Sequence, residues 1–169
     1  MTVALRPAEA GDGRAIAEVQ RSTWAATYTR WIPDVVDQFD VEERAVGWSR
    51  AAADERFHLM VAVDGDTVIG FAASGPAREE EVNADAADAG AVYAIYVVLQ
   101  RHSEGIGQAL MADALGWLAA AGYAECVLWV AEPSTRSRRF YELLGFTLDE
   151  DAVDDWRGLA IVRYRCPLS

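Results

Sequence analysis

Residues 91–111, AVYAIYVVLQRHSEGIGQALM, contain the change of pattern around which the chain is organised. The run through Val98 is apolar and rich in β-branched and aromatic residues, which predicts a buried strand. A polar turn follows, and Gly105 and Gly107 then open a predicted helix over residues 105–121. A strand, a glycine turn and a helix in this order point free backbone N–H groups at an anion. We therefore predict that this turn holds the phosphates of a cofactor.

Length and charge exclude several classes of protein. The 169 residues favour one domain over residues 1–169 with a substantial core. A net charge of −12 argues against a nucleic-acid binder, which needs a basic face. All 15 basic residues are arginines, so the chain has neither a Schiff-base lysine nor the lysine of a P-loop. The missing lysine argues against a nucleotide-phosphate enzyme.

The cysteines and histidines form no metal-ligand pattern. Cys126 and Cys166 are far apart, and His58 and His102 add no ligand spacing, so we predict no metal site. Two thiols in a chain of this size fit a reducing cytoplasm. No apolar run is long enough for a signal peptide or for a membrane span of ~20 residues, so we predict a soluble cytoplasmic protein without a membrane partner.

The N-terminal half predicts a strand, two helices and a hairpin. Residues 2–6 suit a strand, while Asp12 and Asp40 are candidate caps of two helices, the second over residues 41–53. An Asp-Gly turn within residues 57–73 is a strong hairpin signal. An acidic, Ala-rich loop then leads into the strand quoted above.

The C-terminal half predicts a strand, a helix capped by Ser134, and two closing strands joined by an acidic loop. Their expected bounds are 125–130, 135–144, 146–148 and 158–166. The whole order is β-α-α-β-β-β-α-β-α-β-β. It predicts an α/β fold with a mixed sheet (α+β) and helices on both of its faces.

Two parts of the chain resemble two motifs of one family. The first motif is matched by residues 94–97 (AIYV) with 105–110 (GIGQAL). The second is matched by residues 128–130 (LWV) with 138–146 (RRFYELLGF). The family is the GCN5-related N-acetyltransferases (GNAT), and the element order matches it over essentially the whole chain. The resemblance implies the GNAT acyl-CoA N-acyltransferase fold and acetyl-CoA as co-substrate. It also implies direct acetyl transfer to a primary amine, which we expect to belong to a small molecule.

The resemblance also assigns cofactor contacts, some at unusual residues. His102 stands where the family has Gln or Arg, Ser103 where it has Gly, and Ser134 where it often has Asn. Ser103 would cost about 1 kcal/mol if the turn demands a positive φ there. His102 would weaken cofactor affinity at high pH if it touches a phosphate, or it is an exposed loop histidine without a role. The implied cofactor-binding residues are Tyr96, Val97, Val98, His102, Ser103, Glu104, Gly105, Ile106, Gly107, Gln108, Ser134 and Ser137.

Tyr141 aligns with the family's tyrosine that protonates the departing CoA thiolate, although it is also typical of a core aromatic on an amphipathic helix. The general base is open, because Gly90 and Ala91 stand where many members carry a Glu. The alternatives are Tyr93, Tyr28, Asp34, a water chain, or the run Glu79–Glu81, which is equally typical of a solvated loop.

The resemblance places the acceptor near a group of aromatic residues. The expected walls are Trp24, Tyr28, Trp31, Ser74 and Tyr93, although Trp24 also has the spacing of a core residue. Aromatic walls with nearby carboxylates would suit a cationic amine. Two other functions remain open: acetylation of a protein or peptide amino group, and a non-catalytic acyl-CoA-binding domain. Homodimers are common in the family, and the sequence does not fix the oligomeric state.

Overall fold

A computed structural model of the protein describes residues 2–78 and 88–169. Within them the strands and helices follow the predicted order, which confirms the mixed α/β class. Their bounds are β1 Val3–Pro7, α1 Gly13–Tyr28, α2 Val41–Ala53, β2 His58–Asp64, β3 Thr67–Pro76, β4 Ala89–Val97, α3 Ile106–Ala120, β5 Glu125–Ala131, α4 Thr135–Leu143, β6 Thr147–Trp156 and β7 Leu159–Pro167. The strand order is β1-β2-β3-β4-β5-β7-β6, with β4 and β5 parallel.

The chain forms two compact units, each built from two separate stretches. The first comprises residues 1–74 and 94–114. Its core joins the β2–β3 hairpin to the start of α3 through Met60, Ala62, Ile69, Ala72, Ile106 and Leu110. Leu110 is completely buried, and burial of a leucine contributes about 2 kcal/mol. This core fixes the first turn of α3 on the hairpin.

The second unit comprises residues 75–93 and 115–169. Its strands β5 and β7 pair antiparallel, with Cys126 opposite Cys166. Both cysteine side chains are buried. Helix α4 is tied to β7 by Tyr164, whose hydroxyl donates to Glu142 (2.7 Å) and accepts from Arg138 Nε (2.9 Å). Burial raises the pKa of the Tyr164 hydroxyl, so this hydroxyl remains protonated at neutral pH.

Three local predictions differ from the structure. The acidic stretch before Trp156 is not a loop but part of β6, an edge strand, where exposed charges are tolerated and discourage edge pairing. The turn after it is Arg157-Gly158, with φ of 53° and 85°, the backbone of a two-residue hairpin turn. Asp12 and Ser134 stand at the N-caps of α1 and α4, but their side chains make no capping hydrogen bond within the described residues.

The Asp12 side chain bonds to Arg6 instead of capping α1. Its carboxylate accepts two hydrogen bonds from Arg6 (2.7 and 3.0 Å) and one from the Glu9 N–H (2.8 Å). The bond with Arg6 holds the pKa of Asp12 below its usual value. The cap predicted at Asp40 is confirmed, because its side chain accepts from the Glu43 N–H at 3.1 Å.

Candidate functional site

The turn before α3 presents backbone donors without helical partners. The first hydrogen bond of the helix runs from the Ala109 N–H to the Gly105 carbonyl (3.0 Å). The N–H groups of Ile106, Gly107 and Gln108 precede it, so the helix leaves them without an acceptor. Together with the positive end of a 15-residue helix dipole, they form a site suited to phosphate oxygens.

Two residues of this turn have a left-handed backbone. Gly105 has φ of 81° and Ser103 has φ of 67°. The turn therefore does demand a positive φ at Ser103, a conformation that is free for glycine and strained for serine. Ser103 and Glu104 are exposed, so this turn lies at the surface.

Replacing Ser103 by Gly should therefore stabilise the protein, by about 0.5–1 kcal/mol, because the strain at φ 67° disappears. Urea unfolding would measure the change. Ser22→Gly is the matched control, since Ser22 is exposed within α1, and there a glycine should destabilise by a similar amount. Equal destabilisation by both changes would show that position 103 carries no strain.

His102 faces the end of β4. Its Nε2 lies 2.8 Å from the Val97 carbonyl, and because a carbonyl can only accept, Nε2 carries the proton of this bond. Its Nδ1 is buried and has no hydrogen-bond partner within the described residues. His102 thus holds the strand end, a role that the sequence did not indicate, while a contact with a phosphate stays a prediction.

Arg101 is a second residue of the turn that sequence reasoning missed. Its guanidinium bonds to Glu104 and to Asp64 in the hairpin, both at 2.7 Å. These bonds raise the pKa of Arg101 above its ordinary value. Arg101 therefore neutralises Glu104 beside the helix N-terminus and fixes the turn to the hairpin. The Arg-x-x-Glu spacing was the available signal.

The end of β4 lies outside the ladder with β5. The parallel register covers Ala89 to Ala91, so the later residues, including Tyr96 and Val97, do not use their backbone groups in it. On the β3 side, the Val98 N–H donates to the Ile69 carbonyl (2.9 Å). A Cβ added at Gly70 would lie 2.9 Å from the Tyr96 carbonyl oxygen, which explains the glycine there.

Three of the predicted aromatic residues meet in the first unit. Trp24 is 7% exposed and contacts Tyr28 edge-on, with ring centroids 6.3 Å apart. Its Nε1 donates to the Tyr96 hydroxyl (3.1 Å), which also bonds to Tyr28. Tyr96 was expected among the cofactor-binding residues, and its side chain completes this cluster. Trp24 is therefore a core residue with little exposed surface.

Arg44 is a further member of the cluster that the sequence did not indicate. Its guanidinium carbon lies 5.1 Å from the Trp24 ring centroid and 5.2 Å from that of Phe39. Burial raises the pKa of Tyr96, against the opposing hydrogen bonds of Trp24 and Tyr28 and the charge of Arg44. Tyr96 therefore keeps its proton at neutral pH and can donate it in a hydrogen bond.

The other expected acceptor residues lie in different surroundings. Ser74 is fully buried, and its hydroxyl donates to the His58 carbonyl at 3.5 Å. Trp31 is half-buried, with the Arg30 guanidinium 4.9 Å from its ring. In the second unit, the Tyr93 hydroxyl donates to the Pro76 carbonyl. Asp34 is exposed, and Glu79–Glu81 lie outside the described residues.

Tyr141 lies on α4 in the second unit, among aromatic side chains. Its ring centroid is 5.9 Å from that of Phe146 and 6.4 Å from that of Tyr164. The side chain is half-buried, as is Ser137 on the same helix, whereas Ser134 is buried. The ring of Tyr141 is therefore held by packing while part of the side chain reaches the surface.

Among the described residues, no three His, Cys, Asp or Glu side chains come together to hold a metal ion. No described helix combines the length and the apolar composition that crossing a bilayer requires.

Comparison with known proteins identifies the family. Residues 16–146 match the Acetyltransferase (GNAT) family. The uncharacterized N-acetyltransferase YuaI of Bacillus subtilis (strain 168) is 33% identical over 131 residues, 77% of this chain and 72% of that protein. An N-acetyltransferase structure from Staphylococcus aureus Mu50 has a TM-score of 0.78 at 19% identity, covering 100% of both chains.

The PaiA N-acetyltransferase from Thermoplasma acidophilum, crystallised in complex with coenzyme A, has a TM-score of 0.74 at 19% identity. It covers 96% of this chain, and this chain covers 98% of it. The structural matches show the fold, and the family match spans most of the chain, including the turn before α3 and Tyr141. The chain belongs to the acetyltransferase (GNAT) family and is an N-acetyltransferase.

Proposed function

We propose that the protein transfers an acetyl group from acetyl-CoA directly to the primary amine of a small molecule. The observation that carries the proposal is the turn before α3, where three backbone N–H groups precede the first helical hydrogen bond. Such a site suits the diphosphate of acetyl-CoA. The co-substrate supplies the activated thioester, and residues 1–169 act as one acetyltransferase domain, since the family match includes residues of both units.

The end of β4 binds the thioester arm in this proposal. Tyr96, Val97 and Val98 follow the three β4 residues that pair with β5, so their backbone groups are not used in that ladder. A backbone N–H there stabilises the negative charge that develops on the thioester oxygen. His102 keeps the Val97 carbonyl in place through its 2.8 Å bond, and Gly70 lets β3 approach closely.

Tyr141 donates the proton that the departing sulfur needs, because a phenol can protonate a thiolate at modest cost. The acceptor amine releases its proton to solvent water. Two of the candidate bases are engaged elsewhere, since Tyr93 donates to the Pro76 carbonyl and Tyr28 bonds to Tyr96. Direct transfer is consistent with the burial of both cysteines. A buried thiol is not accessible to acetyl-CoA, so neither cysteine would carry the acetyl group as an intermediate.

A small acceptor fits the aromatic cluster better than a protein does. Trp24 exposes little surface, and Tyr28 and Tyr96 are half-buried, so an extended peptide would find few side chains to contact there. Two cysteines in a chain of this size fit the reducing cytoplasm, where we place the protein.

Thiol release from acetyl-CoA across a panel of amines tests this proposal. The panel contains polyamines, aminoglycosides, amino acids, peptide N-termini and intact proteins. We expect turnover with at least one class of small amine and none without an amine. Turnover confined to peptides or proteins would favour the alternative of protein acetylation, and acetyl-CoA binding without turnover on any amine would favour a non-catalytic binding domain.

A further inference from the structure

The guanidinium of Arg44, on α2, makes cation–π contacts with two aromatic rings. The side chain is half-buried, and its guanidinium carbon lies just over 5 Å from the ring centroids of both Trp24 and Phe39. Aromatic faces stabilise a cation but accept few of the five N–H bonds that a guanidinium can donate. Arg44 therefore retains donors for another partner.

No carboxylate of residues 2–78 or 88–169 forms an ion pair with Arg44. Two other arginines of the chain are paired with carboxylates, since Arg6 binds Asp12 and Arg163 binds Asp149. The chain has 27 acidic residues against 15 basic ones, so carboxylates are abundant, yet Arg44 contacts aromatic rings instead. A partly desolvated guanidinium needs hydrogen-bond acceptors, and a ligand anion would supply them.

Two phenols lie beside this charge. The charge of Arg44 acts on the Tyr96 hydroxyl, which bonds to Tyr28 and accepts from Trp24 at 3.1 Å. Because Tyr96 stays protonated at neutral pH, it is a donor rather than an anion that could neutralise Arg44. A guanidinium with neighbouring phenols suits the flat, bidentate geometry of a carboxylate.

Tyr96 belongs both to this cluster and to the strand end proposed to bind the thioester arm of acetyl-CoA. It directly precedes Val97 in the strand end to which the proposed function assigns the thioester arm. A carboxylate held by Arg44 would thus belong to the acceptor and lie close to its reacting amine. We propose that the acceptor is an amino acid whose free carboxylate binds Arg44. This inference rests on the proposed function. It also disfavours polyamines, whose charge Arg44 would repel.

Matched acceptor pairs test the proposal. Leucine, phenylalanine and alanine are compared with leucinamide, phenylalaninamide and alaninamide, with thiol release as the readout. We expect kcat/KM to be at least tenfold higher for the acids. The amides have more of their amine unprotonated at neutral pH, so intrinsic reactivity would favour them, and a preference for the acids must come from the protein.

Two variants assign the preference to one side chain. Arg44→Gln should lower kcat/KM for leucine by about a hundredfold, the loss expected when a charge-assisted contact is removed. Its activity on leucinamide should fall far less than its activity on leucine, and its KM for acetyl-CoA should stay close to wild type. Arg50→Gln is the control, because Arg50 is an exposed arginine on the same helix. This variant should change neither kcat/KM for leucine nor kcat/KM for leucinamide. A variant that fails to fold would lose activity on acid and amide alike.

The outcomes separate this proposal from the proposed function. Acetylation of amines with equal or better use of the amides would overturn the carboxylate inference and leave the acetyltransferase function intact. A rise in the KM for acetyl-CoA in Arg44→Gln, without loss of the acid preference, would assign Arg44 to the co-substrate and also overturn it. Failure to acetylate any small amine would overturn both.

Discussion

Turnover should fall roughly a hundredfold when Tyr141 is replaced by Phe, while acetyl-CoA binds as tightly as before. The phenol is the proposed proton donor to the departing thiolate, and positioned general acids contribute at least this factor. A phenyl ring retains the aromatic contacts with Phe146 and Tyr164, so the change removes a proton rather than a packing partner. Steady-state thiol release gives kcat, and calorimetry gives the dissociation constant of acetyl-CoA.

Tyr123→Phe is the matched control, since it removes one phenol hydroxyl from a half-buried tyrosine elsewhere in the second unit. It should leave kcat within about twofold of wild type, because general acid catalysis needs the phenol at the leaving group. If Tyr141→Phe behaves like this control, Tyr141 is a core aromatic and water protonates the thiolate.

Acetyl-CoA affinity should fall by roughly tenfold to a hundredfold when Gly107 is replaced by Asp. The new carboxylate would stand in the first turn of α3 and repel the phosphates that the N–H groups of this turn are proposed to bind. The same charge at a helix N-terminus favours the helix dipole, so the free energy of unfolding should be unchanged or slightly higher. Opposite effects on binding and stability are the specific signature of an anion site.

Gly116→Asp provides the control, because it adds the same charge to the middle of α3, where a Cβ meets no atom within 4 Å. Its acetyl-CoA affinity should match wild type. Equal weakening by both variants would mean that net charge, rather than the turn before α3, governs affinity.

Local patterns predicted the strand, the turn and the helix to which we assign co-substrate binding. Gly105 and Gly107 lie between an apolar strand and a helical repeat, and they indicated the turn. Such signals can be seen in the sequence because turn residues and hydrophobic periodicity determine structure over only a few residues. The strain at Ser103 was expected from the resemblance, because the family has a glycine at this position. Two predictions failed for different reasons. Asp12 does not cap α1, because its carboxylate bonds to Arg6 instead. The acidic residues predicted to form a loop lie in β6, because an edge strand tolerates exposed charges.

Contacts between distant residues escaped the sequence. The Trp24 indole and the Tyr96 hydroxyl are 72 positions apart, so no spacing could indicate that they share a hydrogen bond. Arg44 was also missed, since its contact with Trp24 joins residues twenty positions apart on two different helices. His102 was noticed as an unusual residue, but its bond to the Val97 carbonyl depends on the fold of the turn.

The most direct test of the central claim is mass spectrometry of one reaction containing the protein, acetyl-CoA and the best amine of the panel. We expect one acetylated amine for each free CoA thiol, with no mass gain on the protein itself. An acetylated protein that forms without the amine, or a bound but intact acetyl-CoA with no acetylated amine, would contradict direct transfer by this N-acetyltransferase.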